Sequence, residues 1–356
     1  KILRQHVFKP KYDSLIDYLA GFRYSTLVLQ TKNALERAAF EFALDQFEDG
    51  VCYVEVRFAP QLHQSEDFSC IDVIAAVQRG LEKAAAQLNH PLFDFGIIIC
   101  ALRSITLDDG TPLSPHYASL IEKYNNLDSD TSIDTIASLE LVTALTDHLR
   151  SGQSPKLSVC ALDIAGAEYG HPASKHLAAY WHARNHYLGL IAHAGEADSL
   201  QSIYQAVCTL GCSRIGHGYN LFQSHDDTNV LPRFDDKTYT TEQRFVEYVR
   251  KNQIHIEVCL TSNLQTMPNT TLAQHPFKKM LDQGISASLC TDNTSVSSTT
   301  LTNEYFHAVR TFDLSLDQLK STIMAGFVHG FYPNQREKLA YISRIEKLLD
   351  EKIEKI

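Results

Sequence analysis

Seven short, almost continuously apolar runs, separated by stretches of helical periodicity, constrain this chain more than any other feature. The runs are Val51–Phe58, Phe95–Leu102, Leu157–Ile164, Leu188–His193, Ser213–His217, Ile254–Cys259 and Ser286–Thr291. Such runs suit a parallel sheet covered by helices, where strands lose contact with water. A helical pattern, Ala34–Phe47, precedes the first run; others between the runs include Ile71–Leu88, Pro172–His186, Leu200–Leu210, Thr241–Lys251 and Pro276–Leu281, and an amphipathic charged helix is predicted over Lys338–Ile356. Repeated right-handed βα units over 356 residues predict a (β/α)8 barrel, with a doubly wound sheet as second choice. No linker divides the chain, so residues 1–356 are read as one barrel domain. Seven strands are one too few for that barrel; the chain opens at Lys1, and the first strand is expected upstream of it. Polar loops are expected at Thr106–Ser114 and Asn125–Asp134, and a long loop of the functional kind at Tyr219–Thr240.

Composition excludes several function classes. A net charge of −10 disfavours capture of nucleic-acid phosphates or anionic lipid. No apolar run approaches the ~20 residues needed to span a bilayer. Of eight cysteines, Cys52, Cys100, Cys160, Cys259 and Cys290 fall in apolar runs, where a free thiol behaves as a small hydrophobe. Cys208 and Cys212 form a close pair without a second pair to complete a zinc knuckle. Free thiols point to a reducing cytoplasm.

In a (β/α)8 barrel, chemistry gathers at the C-terminal ends of the strands. Here those ends carry Leu162–Gly166, His193–Glu196, Arg214–Gly218, Glu257–Asn263 and Thr291–Asn293. His193, His217 and Asp292 supply imidazole and carboxylate, the donors zinc takes in a catalytic site. Glu196 follows His193 by three residues and is placed to reach a substrate. Such a set supports metal-activated water with a separate proton donor, hence hydrolysis or hydrolytic deamination. A lone strand histidine is more often a core residue, but three matched strand ends outweigh that reading. Elsewhere the bland reading prevails. His171, His176 and His329 are read as surface or capping residues, and His182 with His186 as part of the outer helical ring. Glu55 and Arg57, facing inward on one strand, are read as a mutual ion pair.

The segments HAGE (193–196), RIGHG (214–218), EVCLTSN (257–263) and LCTDN (289–293), in that order, resemble the adenosine deaminase family of the amidohydrolase superfamily. DGVCYVEVRFAP (49–60), LDIAG (162–166) and GFVHGFYPNQREK (326–338) support the match, which runs from about Leu15 to the C-terminus. The resemblance implies a (β/α)8 barrel and one Zn2+ per chain. It implies that His193 is a zinc ligand and that Asp292 binds both the metal and the attacking water. It implies that Glu196 protonates N1 of a purine, that His217 orients and deprotonates the zinc-bound water, and that the Gly166 backbone donates to N3. The small-molecule partner would be a purine nucleoside, adenosine or 2′-deoxyadenosine.

The chain departs from the family pattern twice. The HxH of the first strand, which supplies two further zinc ligands, is absent; His6 stands alone, and both histidines are expected upstream of Lys1. Asn293 stands where a second Asp commonly contacts purine N7; an amide donates to N7 without needing an extra proton, so the contact is expected to persist. The alternatives are a deaminase of adenine, AMP or a modified adenosine, and a metal-free binding relative.

Overall fold

A computed structural model of the chain describes residues 7–105, 119, 132–223, 240–267, 269–332 and 335–355. The predicted loops at Thr106–Ser114 and, for the most part, at Asn125–Asp134 and Tyr219–Thr240 lie outside the described residues, as does the opening stretch up to His6. Seven strands follow the predicted order: β1 Tyr53–Phe58, β2 Asp94–Leu102, β3 Val159–Ala165, β4 Gly189–Ala194, β5 Arg214–His217, β6 His255–Val258 and β7 Ala287–Leu289. Each pairs in parallel with its sequence neighbour, giving the order β1-β2-β3-β4-β5-β6-β7. The architecture is therefore the expected barrel type, with β1 and β7 as edges among the described residues.

The outward faces explain why the strands read as apolar. Ile97, Ile99, Leu162, Ile164, Ala192, Ile215, Ile256, Val258 and Leu289 pack under the surrounding helices in one cluster with Val73, Leu81, Leu141 and Phe277. The helix Cys70–Leu88 opens on a capping box at Ser69 and Asp72 and buries a full stripe against that sheet. The helix Lys32–Glu48 begins at a Thr31 cap and stops before Gly50, whose φ of +91° turns the chain into β1. Two expected helices are less regular. Leu200–Tyr204 is α-helical and continues as a π-helical turn over Gln205–Thr209. Ala173–His176 is a 3-10 turn before Leu177–Asn185.

The inward face is charged, and it proves that the sheet is curled. Arg57 on β1 reaches Glu257 on β6 at 2.5 Å. In a flat sheet, five strand spacings would put them about 24 Å apart. Arg57 also meets Asp163 on β3 at 3.3 Å, while Arg214 on β5 holds Glu55 at 2.5 Å and Glu257 through Nε at 2.9 Å. Glu55 and Arg57 are thus not a mutual pair, as the sequence suggested. They sit two residues apart on one face of β1, and each finds a closer partner across the barrel.

Below this ladder, Phe331 plugs the barrel floor against Ile98, Cys160, Ala161 and Ile191, with the Arg214 guanidinium 4.2 Å from its ring centre. Gly189 is required there, since a Cβ would lie 2.4 Å from the Phe331 ring. His329 is not a surface cap. Its ring stacks on that of buried His255 at 4.4 Å and meets Ser286 at 3.0 Å. His176 is fully buried, and burial beside Arg103 pushes its pKa down to about 4. All eight cysteines are free; Cys100, Cys160 and Cys259 are buried, and Cys52 and Cys290 are half-buried. No described helix is long and apolar enough to cross a membrane.

Removing one member of the ladder should be costly. Arg214→Ala leaves Glu55 without its cation and Glu257 with Arg57 alone, so unfolding free energy should fall by about 3–5 kcal/mol. Urea titration measures it. A loss under about 1 kcal/mol would mean that the ladder behaves as a solvated surface pair.

Candidate active site

The strand ends bring the predicted residues together. Glu196 and His217 approach at 3.4 Å, Oε2 to Nε2, and the rings of His193 and His217 lie 5.2 Å apart. His193, Glu196 and Asp292 lie close enough for their charges to act on one another. His217 at φ +67° and Asp292 at φ +53° occupy the left-handed region, which costs a non-glycine residue roughly 1–3 kcal/mol. His217 is the last residue of β5, and Asp292 lies three residues beyond β7, so both bends fall where the strands end. Gly166, at φ +117°, follows the last residue of β3 on the same rim.

Glu196 is buried, and burial together with the Asp292 charge raises its pKa above the ordinary carboxylate range, against the pull of His217. A carboxyl in that position holds a proton more tightly than an exposed one does. Thr266 Oγ1 donates to its other oxygen at 3.3 Å. His193 shows the opposite balance: burial disfavours its proton, but Asp163, 2.9 Å from Nδ1, raises its pKa overall.

Three further groups fix His217, and the sequence pattern did not single them out. The Phe277 backbone N–H donates to His275 Nδ1 at 3.1 Å, so His275 carries its proton on Nε2. That nitrogen donates to Asn263 Oδ1 at 3.2 Å, which turns the Asn263 amide nitrogen toward His217 Nδ1, also at 3.2 Å. Burial pushes the pKa of His275 down to about 3, so it stays neutral. A neutral His217 therefore accepts at Nδ1 and carries its proton on Nε2, facing Glu196. Asn263 was visible in EVCLTSN, but nothing local marked His275.

Asn293 donates through its amide nitrogen to Asp292 Oδ1 at 2.6 Å and to the Tyr18 hydroxyl at 3.0 Å. Tyr18, on the short helix Leu15–Ala20, also meets Ser297 at 3.2 Å. Both hydrogens of the Asn293 amide are thus engaged, one on each partner.

The donor chemistry at the mouth suits zinc. His193 offers an imidazole oriented by a carboxylate beside Nδ1, an arrangement typical of metal-binding histidines, and Asp292 offers a second donor. Among the described residues no group of three or more metal-binding side chains is close enough to hold one ion, so these two would be part of a fuller set. The tautomer of His217 can be read directly. Nitrogen NMR of labelled protein should show Nε2 protonated and Nδ1 bare. Asn263→Asp, which presents an acceptor instead of a donor, should move the proton to Nδ1; the same tautomer in both proteins would contradict the relay.

The geometry accords with a comparison against known proteins. The adenosine deaminase family model matches residues 2–125 and 132–348. Adenosine deaminase 1 of Streptomyces coelicolor is 32% identical over 340 residues, covering 94% of this chain and 74% of the relative. The crystal structure of an adenine deaminase from Arthrobacter aurescens superposes with a TM-score of 0.73 at 19% identity, over 98% of this chain and 88% of that one. A Zn-bound amidohydrolase from Burkholderia ambifaria superposes with a TM-score of 0.70 at 18% identity, over 95% and 80%. With matched motifs at five strand ends and a family match over nearly the whole sequence, the chain belongs to the adenosine deaminase family, hydrolases that act on C–N bonds.

Proposed function

We propose that this protein deaminates adenosine and 2′-deoxyadenosine, giving the inosine forms and ammonia. The observation that carries the reading is Glu196: a buried carboxyl with raised proton affinity, beside His217 and within the field of Asp292. Protonating a ring nitrogen as water adds next to it is the step that needs such a group.

In this reading the Gly166 N–H binds N3 and Glu196 gives its proton to N1, so that no negative charge builds on the ring as oxygen adds at C6. His217 orients the water through Nε2–H, since its Nδ1 is occupied by Asn263, and with both nitrogens engaged it is not the base that the resemblance implied. Asp292, whose Oδ1 is held by Asn293, takes the water's proton. Of the two protons that water brings, one leaves with the amino group as ammonia and one restores Glu196. Zinc, held in part by His193 and Asp292, would lower the pKa of water to about 7 and make a nucleophile available at neutral pH. Asn293 can reach N7 by exchanging its Tyr18 bond for one to the purine, a replacement of like by like.

Two observations favour this reading over a nucleotide deaminase and over a metal-free binding relative. Arg57, Arg103 and Arg214, described arginines around the site, are turned to carboxylates and to the carbonyls of His171, His193 and His329, and Arg103 Nε, which has no partner, is buried, so none of them stands ready for a nucleotide phosphate. A binding relative without chemistry would have no use for the buried Glu196 and His217, each costly to desolvate. The reading also treats the whole chain as one catalytic domain.

Glu196→Gln keeps the shape but cannot donate a full proton, so kcat should fall by about 10²–10⁴-fold with KM nearly unchanged. Steady-state assay of adenosine deamination reads both. Turnover within a factor of about two of the unsubstituted protein would remove Glu196 from the reaction.

A further inference from the structure

Glu168 lies two residues beyond Gly166, is buried, and serves no step above. Its carboxylate nevertheless accepts four successive backbone N–H groups from the loop after β4. Gly195 donates to Oε1 at 2.5 Å; Glu196, Ala197 and Asp198 donate to Oε2 at 3.0, 2.7 and 3.0 Å. The φ of +70° at Gly195 turns these amides to one side, making a nest that suits an anion. Asn220 closes the turn from behind: its amide nitrogen donates to the Asp198 carbonyl at 2.6 Å, and its backbone N–H to the Gly195 carbonyl at 2.9 Å.

We infer that Glu168 is a positioning residue that sets the separation between the two groups gripping the six-membered ring of the purine. The inference rests on the roles proposed for Gly166 and Glu196. Gly166 follows β3 and Glu196 follows β4, and among the described residues these two strands share only two register pairs, Ala161 with Gly189 and Leu162 with Leu190. Sheet hydrogen bonding therefore stops well short of the rim, and the Glu168 carboxylate takes over the connection there. N1 and N3 flank a single carbon, so both donors must be placed together to within tenths of an ångström. A carboxylate is needed because four N–H donors converge on two oxygens. A glutamine would turn its own NH2 toward some of them and leave buried donors unpaired.

The test is a double-mutant cycle in the full-length, zinc-loaded protein, combined with amide exchange. Glu168→Gln should lower kcat for adenosine by about 10²-fold, the cost of a misplaced reacting group, and should speed exchange of the 195–198 amides. Added to Glu196→Gln, it should cost less than about 3-fold more, because its effect runs through the same side chain. Glu168→Asp keeps the charge and should recover part of the lost turnover, which also serves if Glu168→Gln folds poorly. Wild-type turnover in Glu168→Gln, or a loss that multiplies in full on Glu196→Gln, overturns the inference. Wild-type turnover in Glu196→Gln alone overturns the proton-donor reading itself, and with it this role for Glu168.

Discussion

The site depends on a ladder of buried charge inside the barrel. Glu55, Arg214, Glu257, Arg57 and Asp163 alternate in sign from the floor to the rim, where Asp163 meets His193. Placing so many ions away from water costs several kcal/mol each, and the cost is offset only while every member keeps its partners. Burial pushes the carboxyls of Glu257 and Asp163 up, yet the facing cations outweigh it and hold both below their ordinary values. The ladder ties β1, β3, β5 and β6 to one another, and it aims the imidazole most suited to a metal. Fold closure and site orientation therefore share one set of interactions.

Much of the fold was legible because a parallel strand packed under helices must be apolar on at least its outer face, and that pattern is local. All seven strands lie where their apolar runs placed them, within about two residues at most ends. The ladder was not legible, because Arg57 and Glu257 are 200 positions apart and no local period links them. The supposed Glu55–Arg57 pair failed for the same reason. His176 and His329 were misplaced because nothing in a histidine's immediate neighbours says whether it is buried; burial and ring stacking depend on distant packing, as where His329 stacks on His255.

The predicted site residues are brought to one rim, and the groups that fix them fall into two kinds. Asp163 and Asn263 stood inside the matched segments and were passed over, since a motif marks a position without saying what its side chain does. Glu168 and His275 lay outside those segments. Their roles come from backbone geometry: a nest closed by Gly195 in one case, and an N–H of Phe277 in the other. The left-handed backbone at His217 and Asp292 belongs to the same class. It costs local stability, and the packed sheet beneath holds it in place.

Product analysis of the whole protein, prepared with added zinc, tests the central claim most directly. Supplied with adenosine in water enriched in heavy oxygen, it should release inosine and ammonia in equal amounts, with the heavy oxygen at C6. Faster turnover of adenine than of adenosine, or inosine without matching ammonia, would contradict the account.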